Sequence, residues 1–158
     1  MANLDHIDIK LLGELQEHGR ITNVELAQRV GLTAPPCLRR VRSLEEDGVI
    51  RGYHAQLDPS KLGFAITVFA MVSLKSQAED DLRAFEQHIQ TLPEVRECHM
   101  LNGEIDFILK IVSRDLQSFQ EFLTSKLTPA PNVASVKTSL TIRTAKHAPG
   151  VPIEGQAG

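Results

Sequence analysis

From Thr22 to Gly48 the chain carries a succession of start and stop signals that few folds can accommodate. Thr22 and Glu25 have the spacing of a capping box, in which each side chain bonds the other's backbone N–H at a helix start. Leu26, Ala27 and Val30 then supply one apolar face, and Gly31 stands where a left-handed residue closes the helix. Thr33 is placed to cap a second helix whose first turn tolerates Pro35 and Pro36, because those positions have no intrahelical partner. In that helix Cys37, Val41 and Leu44 fall on one face, while Arg39, Arg40 and Arg42 fan out over the rest. Gly48 ends it after Glu45, Glu46 and Asp47. Two helices joined by a glycine turn, the second rich in arginine, form the helix-turn-helix pattern, in which the second helix enters the major groove of DNA. Taken alone, the segment also suits an ordinary helical hairpin with a solvated basic face, and the three acids keep the basic patch short.

At 158 residues, 42% hydrophobic and 23% charged, the chain fits one domain or two small ones and the soluble globular class. Its longest apolar run, Phe64 to Val72, is too short to span a bilayer, and the N-terminus shows no basic-then-apolar signal segment, so a cytoplasmic protein without membrane association is expected. Cys37 and Cys98 fall in separate domains without metal-ligand spacing and are expected to be reduced and buried; no disulfide, metal or cofactor is expected. The formal net charge of −3 argues against coating DNA by bulk electrostatics. It favours a local basic surface, multiplied by symmetry.

Ahead of the central run, Leu4, Ile7, Leu11, Leu12 and Leu15 recur at helical spacing, with Asp5 and Asp8 near the positive end of the helix dipole. This third helix gives the other two a core, and Gly19 ends it. After Gly48 the period changes to two, with Ile50, Tyr53, Ala55 and Leu57 apolar, the pattern of a short extended wing or hinge closed by the turn Asp58-Pro59-Ser60. The expected organisation is a DNA-binding domain over residues 1–52, a hinge strand and linker over 53–62, a second domain over 63–146 and a flexible tail over 147–158. The second domain alternates in type. A strand spans Ala65 to Lys75, a helix Glu79 to Thr91 with Leu82, Phe85, Ile89 and Leu92 inward, and a strand Val95 to Leu101. A tight turn at Asn102-Gly103-Glu104 leads into a strand from Ile105 to Val112, followed by a helix from Leu116 to Leu127 with Leu116, Phe119, Leu123 and Leu127 on one face. Pro129 and Pro131 break it before a last strand from Val133 to Arg143. The order β-α-β-β-α-β is the ferredoxin-like split arrangement, so the chain is α+β.

In such a unit two helices cover one sheet face, and the strands of a monomer should alternate apolar and polar. The first strand departs from this: Ile66, Val68, Ala70, Val72 and Leu74 lie on one side, yet Phe69 and Met71 on the other. A second apolar layer is required, and the simplest is a symmetry mate packed sheet against sheet. A ligand or the first domain could also cover it.

The runs Leu4 to Asp8, Gly19 to Leu26, Val30 to Thr33, Pro36 to Val41, Leu44-Glu45, Gly48 to Ile50, Pro93 to Val95, Glu97 to His99 and Gly103 to Phe107 together resemble the leucine-responsive/asparagine-operon (Lrp/AsnC) regulators of bacteria and archaea. The resemblance extends over almost the whole chain. It implies a winged helix-turn-helix domain joined by a hinge strand to a ferredoxin-like effector domain, the RAM domain, which dimerises through its sheet and assembles into tetramers or octamers. It also implies a small amino-acid effector bound between dimers, near the turn that here holds Gly103 and Asp106. Met100, Leu101 and Asn102 would lie close by, with Val136 and Thr138 of the last strand offered to the same pocket. Val136 stands where several relatives carry a small polar residue, so either the effector is less polar or that wall only packs. Asp106 and the Thr138 hydroxyl suit an amino acid's ammonium and carboxylate; the plain alternative is that Gly103 makes the turn and Asp106 caps it.

The expected function is a non-enzymatic, sequence-specific transcriptional regulator of the bacterial nucleoid, binding double-stranded DNA through Thr33, Ala34, Pro36, Arg39, Arg40 and Arg42. Its assembly and DNA grip are expected to respond to the effector. An amino-acid-sensing regulatory subunit of an enzyme and an architectural DNA-binding protein are the alternatives. The capped helix-turn-helix argues against the first, since an enzyme subunit has no use for outward arginines.

Overall fold

The computed structural model describes residues 4–153. These form two compact units, one made of residues up to Gln56 together with those from Lys146 on, the other of Leu57–Ala145.

The first unit contains α1 (His6–Glu17), α2 (Asn23–Val30) and α3 (Ala34–Glu46). Leu11, Leu26, Ala27, Val30, Cys37, Val41 and Leu44 form its buried core, with Leu4, Ile7, Leu12 and Leu15 packed at the margin. The acids at the start of α1 do more than complement the dipole. Asp5 accepts hydrogen bonds from the Ile7 and Asp8 N–H groups, both 2.9 Å, and Asp8 accepts one from the Asp5 N–H at 3.1 Å, a second capping box. The box at α2 is as expected, with Glu25 N–H on the Thr22 hydroxyl and Thr22 N–H on the Glu25 carboxylate. Gly31 adopts φ 76° at the helix end, which glycine accepts without a Cβ penalty. Thr33 departs from expectation. It holds the N-cap backbone conformation of α3, but its hydroxyl makes no capping bond. An N-cap side chain bonds the N–H of the second or third helical residue, and here those residues are Pro35 and Pro36, which have none.

Beyond α3 the stretch read as a wing or hinge strand carries no ladder within the described residues, since one strand alone has no partner for its backbone groups. Tyr53 ties it back to α3 by donating to Glu45 at 2.9 Å. The segment expected as a loose tail is anchored up to Val151: Gln16 Nε2 donates to the Val151 carbonyl at 2.8 Å, and Val151 N–H donates to Gln16 Oε1 at 3.0 Å. Residues 154–158 of that tail lie outside the described residues.

In the second unit β1 (Ile66–Leu74), β2 (Val95–Met100), β3 (Phe107–Ser113) and β4 (Val133–Leu140) form an antiparallel sheet of order β2-β3-β1-β4, with α4 (Glu79–Gln90) and α5 (Leu116–Phe122) in the crossovers. The β-α-β-β-α-β order is the one expected. Val68, Ala70, Val72, Phe107, Leu109 and Ile111 pack with Phe85, Ile89, Phe119 and Phe122 of the helices in one buried core. Phe85 and Phe107 meet at 4.8 Å between ring centres, and each buried aromatic stabilises the unit by about 1.5–3 kcal/mol.

Two local readings change. The second helix is regular only to Phe122 and continues as a π turn over Leu123–Leu127, whose wider pitch returns Leu127 to the core while Leu116 stays exposed. Phe122, missing from the expected inward face, is buried. The tight turn after β2 is instead a longer bend from Leu101 to Asp106, closed by Leu101 N–H on the Asp106 carbonyl at 2.8 Å. Asp106 is its anchor. At 8% exposure its carboxylate accepts from Leu74 N–H and from Gln77 Nε2, each at 2.7 Å, while its own N–H donates to the Val72 carbonyl.

Asp106→Ala should therefore lower the stability of this unit by about 1–3 kcal/mol, because the buried Leu74 N–H loses its acceptor. Denaturant unfolding would measure it, and a value near zero would rule out the anchoring role. For the tail, a Cβ at Gly150 would overlap Gln16 Oε1 on a backbone with φ 66°. Gly150→Ala should undock Val151 and speed tryptic cleavage after Lys146; equal rates in parent and variant would show that docking gives no protection.

Candidate DNA interface and effector site

The orientation of α3 is set from its inner side. Cys37, Val41 and Leu44 are buried against α1 and α2, and Asn23 Nδ2 at the start of α2 donates to the Ala34 carbonyl at 2.8 Å, fixing the turn between the two helices. Arg40 departs from the outward fan. Its guanidinium bonds Asp5 at 2.8 Å and Asp8 at 2.7 Å, so it straps α3 to the capped start of α1. The Asp5 carboxyl is held below the ordinary carboxylate range, first by the Asp8 N–H it accepts and then by Arg40. Arg39 and Arg42 stay exposed, together with Pro35 and Leu38. These four are spaced three and four apart and share the outer face of the helix.

The remaining expected DNA-facing residues divide. Thr33 is exposed with its hydroxyl free of the cap. Ala34 and Pro36 are half-buried, and Pro35 is the exposed proline. With prolines at its second and third positions, α3 lacks two of the N–H groups that helix N-termini offer to phosphates. Pro35 and Leu38, which are not among the residues expected to face DNA, share this exposed face, and their spacing from Arg39 and Arg42 is the signal that places them there.

In the second unit Met100, Leu101, Asn102, Gly103 and Asp106 share the β2–β3 bend, where Met100 is 60% and Leu101 40% exposed. Val136 and Thr138 lie on β4, at the other edge of the sheet. Met100 pairs with Phe107, Phe107 with Val72 and Val72 with Val136. Three strand spacings separate Met100 from Val136, about 14 Å between backbones. One small amino acid cannot reach both from a single chain. Gly103 has neither a positive φ nor any atom within 4 Å of where a Cβ would stand. Nothing in its own chain requires glycine there.

The helix-free sheet face carries Phe69, Met71, Ile108 and Val112, with Lys110 between the last two and opposite Phe69, and His99, Glu97 and Lys137 on the edge strands. Phe69 is 38% exposed at its centre, and Lys110 pairs with Glu97 at 2.8 Å. Burial pushes the Cys37 thiol up and the Cys98 thiol up to about 11, so neither is a ready thiolate. Among the described residues no three His, Cys, Asp or Glu side chains gather as a metal site, and no helix is long and apolar enough to cross a membrane.

Two family models match the chain, a winged helix-turn-helix DNA-binding model over residues 4–51 and the Lrp/AsnC ligand binding domain over residues 67–151. A leucine-responsive regulatory protein of Rhizobium meliloti is 55% identical over 96% of this chain and 97% of its own length. A Bkd operon transcriptional regulator of Pseudomonas aeruginosa is 45% identical over 90% of this chain and 94% of its own. Among solved structures, a transcriptional regulator of Neisseria meningitidis in complex with L-Met superposes with a TM-score of 0.91 at 37% identity, covering 96% of this chain and 98% of the other. The chain belongs to the Lrp/AsnC family of transcriptional regulators, its capped helix-turn-helix serving DNA binding and its four-stranded unit serving ligand binding.

Proposed function

We propose that α3 reads the major groove with Arg39 and Arg42, that Arg40 holds the reading helix in place, and that an apolar amino acid governs how copies of the chain associate on DNA. The carrying observation is the division of the three arginines, two exposed on the outer face and one bound to Asp5 and Asp8. The protein then acts in the cytoplasm as a regulator without catalytic activity of its own.

The helix-free face fits a second copy packed through Phe69 and Met71, since its apolar side chains have no cover in their own chain and its central Lys110 is already paired with Glu97. An effector site assembled from the β2–β3 bend of one copy and Val136 and Thr138 of another answers the 14 Å separation, estimated from three strand spacings. The open space at Gly103 leaves room for a neighbouring chain or a ligand to approach. Asp106 would act by positioning that bend. The exposed Met100 and Leu101, with Val136, favour an apolar side chain; the Neisseria meningitidis relative is described with L-Met and the Rhizobium meliloti relative as leucine-responsive. A ligand shared between copies shifts assembly by its differential affinity for the assembled state.

Arg39→Ala and Arg42→Ala should each cost roughly 1–3 kcal/mol of specific DNA binding with the fold intact. Gel shifts on selected genomic fragments test this, and unchanged affinity in both variants would remove the assignment. Arg40→Ala should instead lower thermal stability at neutral pH. Because Arg40 is among the groups that hold the folded-state Asp5 carboxyl below its unfolded value, its contribution is fully present above the unfolded value and lost as pH falls through the lowered folded one. The gap in melting temperature between parent and Arg40→Ala should therefore close in acid.

In sedimentation the parent should run as a dimer or larger, and Phe69→Lys should shift it toward monomer. Leucine or methionine should raise the parent's melting temperature and change its sedimentation. Ligand binding without any change in sedimentation would contradict the association mechanism.

A further inference from the structure

Leu38 is a large apolar side chain, 39% exposed, halfway along α3 on the flank of its outer face. Its neighbours Cys37 and Val41 supply the core from the same helix, so core packing does not account for it. At helical spacing it lies one turn before Arg42 and one turn after Ala34 and Pro35, inside the stripe that carries the two free arginines. Glu45, Glu46 and Asp47 follow at the C-terminal end, where they repel phosphates. The N-terminal half of α3, from Ala34 to Arg42, is thus the part suited to enter the groove. The one base-edge feature in the major groove that an aliphatic side chain recognises is the thymine C5-methyl. Arg39 beside it and Arg42 one turn further on draw the helix against the phosphates and leave a leucine at that depth facing base edges.

Resting on the DNA-reading function above, we propose that Leu38 is a specificity-determining residue that contacts the methyl group of one thymine in each half-site. Arg39 and Arg42 supply polar base or phosphate contacts around it. The exposed leucine is the apolar element of the recognition surface.

The test takes duplexes enriched by the full-length protein from a random pool and replaces each thymine in turn by deoxyuridine, which removes only the methyl group. The parent should lose roughly 3- to 5-fold in affinity at one thymine per half-site, the equivalent of one buried methyl. Leu38→Ala should bind the thymine and deoxyuridine duplexes equally at that position, with the other positions unchanged, and Leu38→Met should restore the preference. Leu38→Ala retaining the parent's thymine preference at every position would overturn the proposal. A parent that enriches no sequence at all would overturn the DNA-reading function, and this inference with it.

Discussion

The rotational setting of α3 is the constraint on which the DNA-binding unit depends. A helix can bury only one stripe, and for α3 that stripe is Cys37, Val41 and Leu44, with Arg40 beside it held by Asp5 and Asp8. The partners of Arg40 are themselves the N-cap and third residue of α1, so one charged network both starts α1 and locks α3 against it. Asn23 adds a second constraint by bonding the first carbonyl of α3. With the inner stripe settled, Pro35, Leu38, Arg39 and Arg42 have no alternative to the outside. The exposed face is the complement of the packed one.

A comparable economy governs the effector unit. The two crossover helices cover one sheet face, and the other keeps Phe69, Met71, Ile108 and Val112 around Lys110. Lys110 and Glu97 satisfy each other on that face, and the lysine holds the Glu97 carboxyl below its ordinary range. At one end of the sheet Asp106 joins β1, β3 and the segment before α4 through three hydrogen bonds, which sets the position of the bend carrying Met100 to Gly103. The carboxylate that chemistry alone would offer to an ammonium group is already engaged by the fold. On the proposed function, selectivity for an effector falls to the exposed apolar residues of the bend and to a second copy.

The segment after β4 shows how little composition says about order. Glycine and proline around residue 150 suggest a loose end, yet Gly150 is the residue that lets the backbone pass close to Gln16 and form a reciprocal pair through Val151. The matched ligand-binding model extends to residue 151, while residues 146–153 belong to the compact unit of the DNA-binding helices.

The sequence by itself determined the order and kind of the elements, because these rest on local physics: the capping box at Thr22 and Glu25, the left-handed Gly31, the three-and-four spacing of Leu26, Val30, Val41 and Leu44, and the two-sided apolar pattern of β1. It also carried the family, through several motifs in one order. What only the tertiary structure decided was the partner of each polar side chain, since partners such as Arg40 and Asp5, or Asp106 and Leu74, are 35 and 32 positions apart. No spacing rule could tell that Arg40 is held while Arg39 and Arg42 are free. Thr33 illustrates the boundary: its failure to cap was already implied by Pro35 and Pro36, whereas the separation of Met100 from Val136 followed from the strand order β2-β3-β1-β4, which arises when the chain folds back on itself.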